Sequence, residues 1–294
     1  MSDLVLDVVQ QALNGFLFGS SYALIGIGFT MVFGVMEKLN LAFGVTALGG
    51  AYLALLFFQL TRGPFVLVFL AAVVAAGAIG LVVELACFHW MPRDYPLAAL
   101  MATVGMLFFI EEVIVHATNG MPRAFPAPLG QLMLEAGPWL LRGDLTFMFL
   151  MSLVVMATLW LLVYRTRLGL ATRAVSQQPV AAQLCGIALS RVNASVFVIT
   201  GLIGGVAGAL IGSAVGNLSP LLSLPLTVKG LVTAVLGGLG SIPGAIVGGL
   251  LLGIVEYEAL YLFGIGYRDM VTYLLLFAFL VFRPGGLFGP GGGR

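Results

Sequence analysis

The sequence predicts an all-α polytopic bundle of transmembrane helices, and its composition carries most of that prediction. The chain has 294 residues, of which 61% are hydrophobic and only 9% are charged, and its mean hydropathy is +1.12. A soluble domain is about 25% charged, so an apolar surplus of this size does not fit a water-exposed fold. Because one span needs roughly 20 apolar residues, the chain has room for about eight crossings with short loops. We therefore expect one transmembrane domain over residues 1–294.

Eight apolar segments, bounded by charges and turn residues, are long enough to cross a bilayer. A ninth, at 226–239, is too short for an untilted crossing, so it is either a tilted span or a half-helix packed inside the protein. The N-terminus carries Asp3 and Asp7 where a signal peptide would carry positive charge, so the first segment should remain as a span. The eight predicted spans are 11–36, 41–61, 65–88, 98–117, 146–164, 192–216, 243–262 and 268–283.

The distribution of lysine and arginine predicts the orientation of a multi-pass cell (inner) membrane protein. The segment 165–191 is rich in arginine, so we place it in the cytoplasm, and counting spans backwards places the N-terminus outside. If 226–239 crosses the membrane, the positive residues outside are Arg62, Arg123, Arg142 and Arg268. The larger cytoplasmic set is then Lys38, Arg93, Arg165, Arg167, Arg173, Arg191, Arg283 and Arg294.

Several functions are excluded by what the sequence lacks. A net charge of +1 leaves no basic surface for nucleic acid. Cys87 and Cys185 have no metal-ligand spacing, and His89 and His116 are too few for a histidine site, so we expect no metal and no cofactor. No Gly-Lys doublet occurs, so the chain has no Walker A phosphate loop and no ATPase motif of its own. We expect a non-enzymatic transport protein that conducts passively, couples to an ion gradient or takes energy from another subunit.

Two stripes of glycine predict close helix packing. Small residues four apart let two helix backbones approach, which supplies packing where the hydrophobic effect between helices is absent. The functional alternative is that such contacts line or hinge a pathway. The stripes are Gly204, Gly208, Gly212 and Gly216, followed by Gly240, Gly244 and Gly248.

Polar groups at predicted membrane depth are candidates for a translocation path. An ionisable group costs about 2.5–3.5 kcal/mol at the centre of a spanning helix, so Lys229 should pair with a carboxylate or contact a substrate. Hydroxyl and amide groups offer a milder path, although Ser and Thr also bond back to helix carbonyls. The carboxylates at this depth are Glu84, Glu111, Glu112, Glu256 and Glu258. The candidate path residues are Ser20, Ser21, Tyr22, Asn40, Thr46, Lys229 and Glu256.

The arginine-rich segment 165–191 also has a feature typical of a docking site. Pro179 suits the first turn of a short helix and Gly186 suits its end. Between them lies an apolar surface, and exposed apolar surfaces often mark interfaces; the alternative is a loop packed on its own bundle. The residues of this surface are Ala181, Ala182, Leu184 and Cys185.

At this segment the sequence resembles the branched-chain amino acid ABC transporter permease family, specifically its first permease type. The residues that match the family's ATPase-docking segment are Gly169, Arg173, Ala174, Ala181, Leu184, Gly186 and Ile187. Further matches, in order along the chain, are Asn14-Gly15, 19–25, 234–245, 253–256, Arg283-Pro284 and 286–289. Where the family commonly has Asn-Phe-Ala-His-Gly, this chain has Asn40-Leu41-Ala42-Phe43-Gly44. Phe43 replaces a polar group there, so we add it to the candidate path.

The resemblance implies a permease subunit of an ABC importer, with 165–191 as its cytoplasmic coupling loop. It also implies three kinds of partner: a second permease subunit (homologous or identical), two cytoplasmic ATP-binding subunits, and a periplasmic or extracellular solute-binding protein. The expected substrate is a small solute, namely a branched-chain or other apolar amino acid; urea and short amides, which relatives also move, are the alternative. A self-sufficient channel or secondary transporter would fit the composition as well. An intramembrane enzyme lacks a recognisable nucleophile and base.

Overall fold

The computed structural model describes residues 2–91, 96–130, 132–136, 139–283 and 285–288. The sequence features at Arg93, Pro284, Gly289 and Arg294 lie outside the described residues. Within them the chain forms helices α1 Ser2–Met36, α2 Phe43–Thr61, α3 Phe65–Val83, α4 Pro96–Thr118, α5 Gly143–Arg165, α6 Arg167–Gln177, α7 Pro179–Leu184, α8 Leu189–Val215, α9 Ser223–Gly237, α10 Ile242–Phe263 and α11 Arg268–Phe282. A π-helical turn, Glu84–Phe88, continues α3, and 3₁₀ turns at Pro220–Leu222 and Ile265–Tyr267 precede α9 and α11.

The predicted helix bundle is confirmed. Among the described residues, nine helical segments are long and apolar enough to cross a membrane, and they include all eight predicted spans. The ninth is Pro220–Gly237, in which the 3₁₀ turn extends α9 to 18 residues. Length and composition therefore favour a span over a half-helix for the region predicted at 226–239.

Four short strands lie between the helices in the part of the chain that the structure describes. β1 (Arg123–Ala124) pairs antiparallel with β4 (Asn217–Leu218), which follows α8 directly. β2 (Met133–Ala136) pairs antiparallel with β3 (Trp139–Arg142), which leads into α5. The segment between α4 and α5 is thus tied to the end of α8 and to the start of α5.

Helix α1 lies at the centre of the bundle, and 89% of its most apolar 18-residue window is buried. It packs most extensively on α10, backbone against backbone. A Cβ atom added to Gly19 would lie 2.7 Å from the carbonyl oxygen of Gly249, and one added to Gly15 would lie 2.6 Å from that of Gly253. These contacts leave no room for a side chain, which explains why glycine faces glycine along this seam.

The glycine stripes form packing contacts at most positions but not at all of them. Gly208 is pressed against the backbone of Ala47 in α2, and Gly244 against the backbone of Gly237 at the end of α9. Gly216 and Gly240 make no such contact: their φ angles are +75° and +93°, and a Cβ on either would meet nothing within 4 Å. The packing prediction is therefore wrong for these two, which lie in turns where a positive φ favours glycine.

We expect Gly208→Leu and Gly244→Leu each to destabilise the folded bundle by at least about 1–3 kcal/mol, since the new side chain has to displace backbone atoms. Gly105 provides the matched control, because it is exposed on α4 with nothing within 4 Å of an added Cβ. Gly105→Leu should keep normal expression and thermal stability. Size-exclusion chromatography and thermal unfolding in detergent measure both; equal behaviour of the three variants would contradict the packing role.

Candidate translocation site

A cluster of buried charges joins four helices. The carboxylate of Glu256, in α10, is fully buried and lies 2.9 Å from Nζ of Lys229 in α9 and 2.8 Å from Nη2 of Arg268 in α11. It also accepts hydrogen bonds from Tyr22 Oη in α1 at 2.7 Å and from Thr272 Oγ1 in α11 at 3.0 Å. Two cations and two neutral donors thus surround one carboxylate, which ties the central helix to the last three.

A second carboxylate balances the charge of this cluster. Asp269 Oδ1 lies 3.0 Å from Nζ of Lys229, so two carboxylates face two cations. Buried charges are tolerated when they are paired and hydrogen-bonded, and both conditions hold for Glu256, whereas Asp269 is 53% exposed. The expected pairing of Lys229 with a carboxylate is confirmed: its partners are Glu256 and Asp269. Arg268 and Asp269 were not among the candidates, because they stand at the border between a predicted loop and a predicted span.

An apolar cavity of about 170 Å³ borders the cluster. Lys229 and Arg268 line it together with Tyr22, and the rest of the wall is largely hydrocarbon. Lys229 Nζ lies 5.6 Å from the centre of the Tyr22 ring, and Arg268 Cζ lies 6.0 Å from that of Phe18. The cavity therefore offers two cationic side chains, both already paired with carboxylates of the cluster, at one side and apolar surface elsewhere. The apolar wall consists of Phe18, Leu48, Gly208, Ile211, Val215, Leu218, Leu222, Pro225 and Leu226.

The other predicted path residues have structural contacts instead. Ser20, Ser21 and Thr46 each donate a hydrogen bond to a carbonyl oxygen of the preceding turn, at 2.7 Å. Asn40 Oδ1 accepts the N–H of Ala42 at 3.1 Å, just before α2 begins. Phe43 packs edge-on against Phe29, with ring centroids 5.5 Å apart. None of these five predicted residues lines the cavity beside the cluster, whereas Tyr22 and Lys229 line it and both contact Glu256.

The remaining carboxylates at membrane depth lie elsewhere in the bundle. Glu111 accepts a hydrogen bond from Ser223 and so links α4 to the start of α9. Glu112 is 65% exposed and lies 3.2 Å from Nδ1 of His116, one turn further along α4. Glu84, in the π-helical turn, lies 3.8 Å from His89 Nδ1. Only Glu256 combines complete burial with two cationic partners among the described carboxylates.

The arginine-rich segment forms two short helices whose bounds follow from the sequence. Thr166 Oγ1 accepts the N–H of Gly169 at 3.1 Å and caps α6. Gly169 is pressed against the carbonyl groups of Leu162 and Val163, so no side chain fits there. Pro179 opens α7, and Gly186, at φ +84°, follows its end.

The apolar surface of α7 differs from the predicted one. Ala182 points into the bundle with 5% of its surface exposed, so its assignment to an exposed face is wrong: a six-residue helix turns one side inward. Leu184 is 85% exposed, Val180 is 67% exposed and Ala181 is also exposed. Of the seven residues matched to a docking segment, three are exposed, namely Ala181, Leu184 and Gly186. The other four, which are buried or half-buried, are Gly169, Arg173, Ala174 and Ile187.

Nine apolar helical segments among the described residues, with an ion-pair cluster at Glu256 that joins four helices, define a multi-pass membrane protein. The chain belongs to the family described as branched-chain amino acid transport system, permease component, whose model matches residues 11–280. It is 33% identical, over 97% of both chains, to the high-affinity branched-chain amino acid transport system permease protein BraD of Pseudomonas aeruginosa. It is 32% identical, over 98% of both chains, to the corresponding protein LivH of Escherichia coli K12.

A more distant similarity concerns a permease with a different name. The ribose import permease protein RbsC of Escherichia coli K12 is 27% identical over 62% of this chain and 60% of its own length. Both this relative and the branched-chain permeases are transport subunits by name. The names of these relatives therefore agree on transport but give different solutes, branched-chain amino acids in two cases and ribose in the third.

Proposed function

We propose that this chain is the membrane-spanning subunit of an ABC importer for branched-chain amino acids. The observation that carries the proposal is the apolar cavity of about 170 Å³ with Lys229 and Arg268 in its wall. A branched-chain amino acid presents a carboxylate at one end and a hydrocarbon side chain at the other, so it matches both kinds of surface. A ligand site of this composition, with apolar walls and a few placed polar groups, is the usual form of a small-molecule site.

The same proposal includes three partners: a second permease subunit, two cytoplasmic ATP-binding subunits and an external solute-binding protein. Two features of the chain support an outside energy source. The sequence lacks a Walker A motif, and α7 presents Val180, Ala181 and Leu184 outward. An exposed apolar patch of this kind suits a protein interface. ATP-driven closure of the partners would be transmitted through α6 and α7 and would alternate access to the cavity.

Reconstitution tests this function. The permease subunits in liposomes, with the ATPase subunits and the solute-binding protein, should accumulate labelled leucine only when ATP is supplied. Leucine flux through the permease alone would show a self-sufficient channel or secondary transporter instead. Accumulation of ribose, urea or acetamide in place of leucine would support the importer function but contradict the proposed branched-chain substrate.

We also propose that the N-terminus lies outside and α6–α7 in the cytoplasm of the inner membrane. Cys185, at the end of α7, is exposed, whereas Cys87 is buried. Labelling of the native Cys185 thiol therefore shows on which side of the membrane α7 lies. A membrane-impermeant maleimide should label Cys185 in inside-out vesicles and not in intact spheroplasts. Met121→Cys in a background without Cys185 is the control. Met121 is 66% exposed and follows the C-terminal end of α4, on the side that we propose to be outside. It should show the reverse pattern, and labelling of Cys185 in spheroplasts would contradict the orientation.

A further inference from the structure

A second cavity, of about 350 Å³, lies where the ends of α1 and α5 meet α6 and the start of α10. Its wall is more polar than that of the cavity beside Glu256. It contains one cationic side chain, Arg173, and no carboxylate among the described residues that line it. The hydroxyl-bearing residues in the wall are Thr30, Tyr164, Thr172, Ser176 and Ser241.

Two side chains of this wall carry buried donor atoms that have no hydrogen-bond partner among the described residues. They are Nε of Arg173 and Oγ1 of Thr30. Thr30 is only 1% exposed, so water outside the protein does not solvate its hydroxyl. Buried polar groups almost always have a partner. Both residues line the cavity and the two atoms are enclosed in its wall, so a small rotation of each side chain would bring the donor to a ligand in the cavity that accepts hydrogen bonds.

The charges around the cavity indicate that this ligand is an anion. Arg173 forms no ion pair with a described carboxylate; its contact is with the face of the Tyr164 ring, 5.3 Å from its guanidinium carbon. The N-terminus of the 22-residue helix α10 borders the cavity through Ser241, Ile242 and Pro243. A helix N-terminus carries partial positive charge and favours anions. A guanidinium, in turn, matches the geometry of phosphate oxygens.

The depth of the cavity identifies the source of the anion. Trp160 and Tyr164 lie one turn apart at the end of α5, with ring centroids 5.6 Å apart, and both are exposed. Aromatic side chains at the ends of spanning helices lie at the level of the lipid headgroups, and Tyr164 is part of the cavity wall. We propose that this cavity binds the phosphate group of an anionic phospholipid, with Arg173 and Thr30 donating hydrogen bonds to the phosphate oxygens.

The test is a titration of the purified full-length chain, in which bound ligand is counted by native mass spectrometry. The probes are phosphatidylglycerol, digalactosyl diacylglycerol (which has no phosphate) and inorganic phosphate. Phosphatidylglycerol should bind in preference to the galactolipid, and Arg173→Gln should weaken its binding at least about tenfold, because a charge-assisted hydrogen bond is lost. Arg191→Gln, which removes the same charge from an exposed position outside the cavity, should leave binding unchanged.

Thr30→Val gives a second readout that does not depend on charge. Valine has nearly the same shape as threonine and removes a hydroxyl that has no partner, so the lipid-free protein should be as stable as the parent chain or more stable. Its affinity for phosphatidylglycerol should nevertheless fall several-fold. If the cavity binds no lipid, Thr30→Val should keep or raise the stability of the protein without any loss of affinity for phosphatidylglycerol.

The outcomes separate the two sources of phosphate. Binding of phosphatidylglycerol alone supports the lipid headgroup, whereas equal affinity for inorganic phosphate overturns the lipid and leaves a free-anion site. Equal binding of the galactolipid, or equal losses in Arg173→Gln and Arg191→Gln, would overturn the phosphate site altogether. None of these measurements uses transport, so they stand or fall independently of the proposed importer function.

Discussion

Glu256→Gln should destabilise the protein by about 3–5 kcal/mol and abolish transport, since removing one partner of a buried ion pair leaves the other charge uncompensated. Glutamine keeps the size of the side chain, but Lys229 then pairs only with Asp269 and Arg268 loses its carboxylate partner, so the cluster changes from neutral to a net charge of +1. Thermal unfolding of the purified variant measures the first effect, and leucine uptake in proteoliposomes measures the second.

Glu258→Gln is the matched control for this prediction. It makes the same chemical change two residues further along α10, where no described cation lies within ion-pair distance of the carboxylate. We expect a much smaller loss of stability there. Equal losses in the two variants would mean that the cations contribute nothing specific at Glu256.

Restoring neutrality should recover part of the stability. Lys229→Met combined with Glu256→Gln removes one charge of each sign, so the double variant is again neutral and should unfold at a higher temperature than Glu256→Gln alone. A double-mutant cycle on these two positions isolates their interaction energy. Additive effects in that cycle would contradict a direct contribution of the 2.9 Å pair. If stability recovers while transport does not, the charges themselves contact the solute.

The spans were predictable because each depends on the composition of one continuous segment. Two members of the cluster were not, because Arg268 and Asp269 form the first turn of α11, where a residue counted as loop can reach back into the bundle. Lys229 alone pointed to the cluster, since a lysine in an apolar helix needs a carboxylate. Nothing in the local sequence decides which of several carboxylates becomes that partner.

The roles of small and polar residues depended on geometry that spacing does not encode. Gly208 and Gly216 belong to one four-residue stripe, yet one packs against Ala47 and the other ends α8 with φ +75°. Ser20 looks like a path residue in the sequence, but its hydroxyl is used by the carbonyl of Leu17. Arg173 matches a docking motif, while its Nε is buried inside the cavity wall. Each outcome depends on contacts with a distant segment or on one side-chain rotamer.

Leu184→Asp should break the coupling to ATP without unfolding the permease. The side chain is 85% exposed, and exposed substitutions usually change stability by no more than about 0.5 kcal/mol. In a complex that covers α7, however, the new carboxylate would be buried without a partner, at a cost of several kcal/mol. We therefore expect a normal unfolding temperature for the isolated chain, loss of the ATPase subunits on co-purification, and loss of ATP-driven leucine uptake.

Gln178→Asp separates the apolar contact from the added charge. Gln178 is the exposed N-cap residue of α7, a position where aspartate is favoured, so this variant places the same charge on the same segment without touching the apolar face. It should keep both the ATPase subunits and uptake. If Leu184→Asp keeps them as well, α7 is not the docking surface. If both variants lose the ATPase subunits, the interface responds to negative charge in general, and the contact is electrostatic rather than apolar.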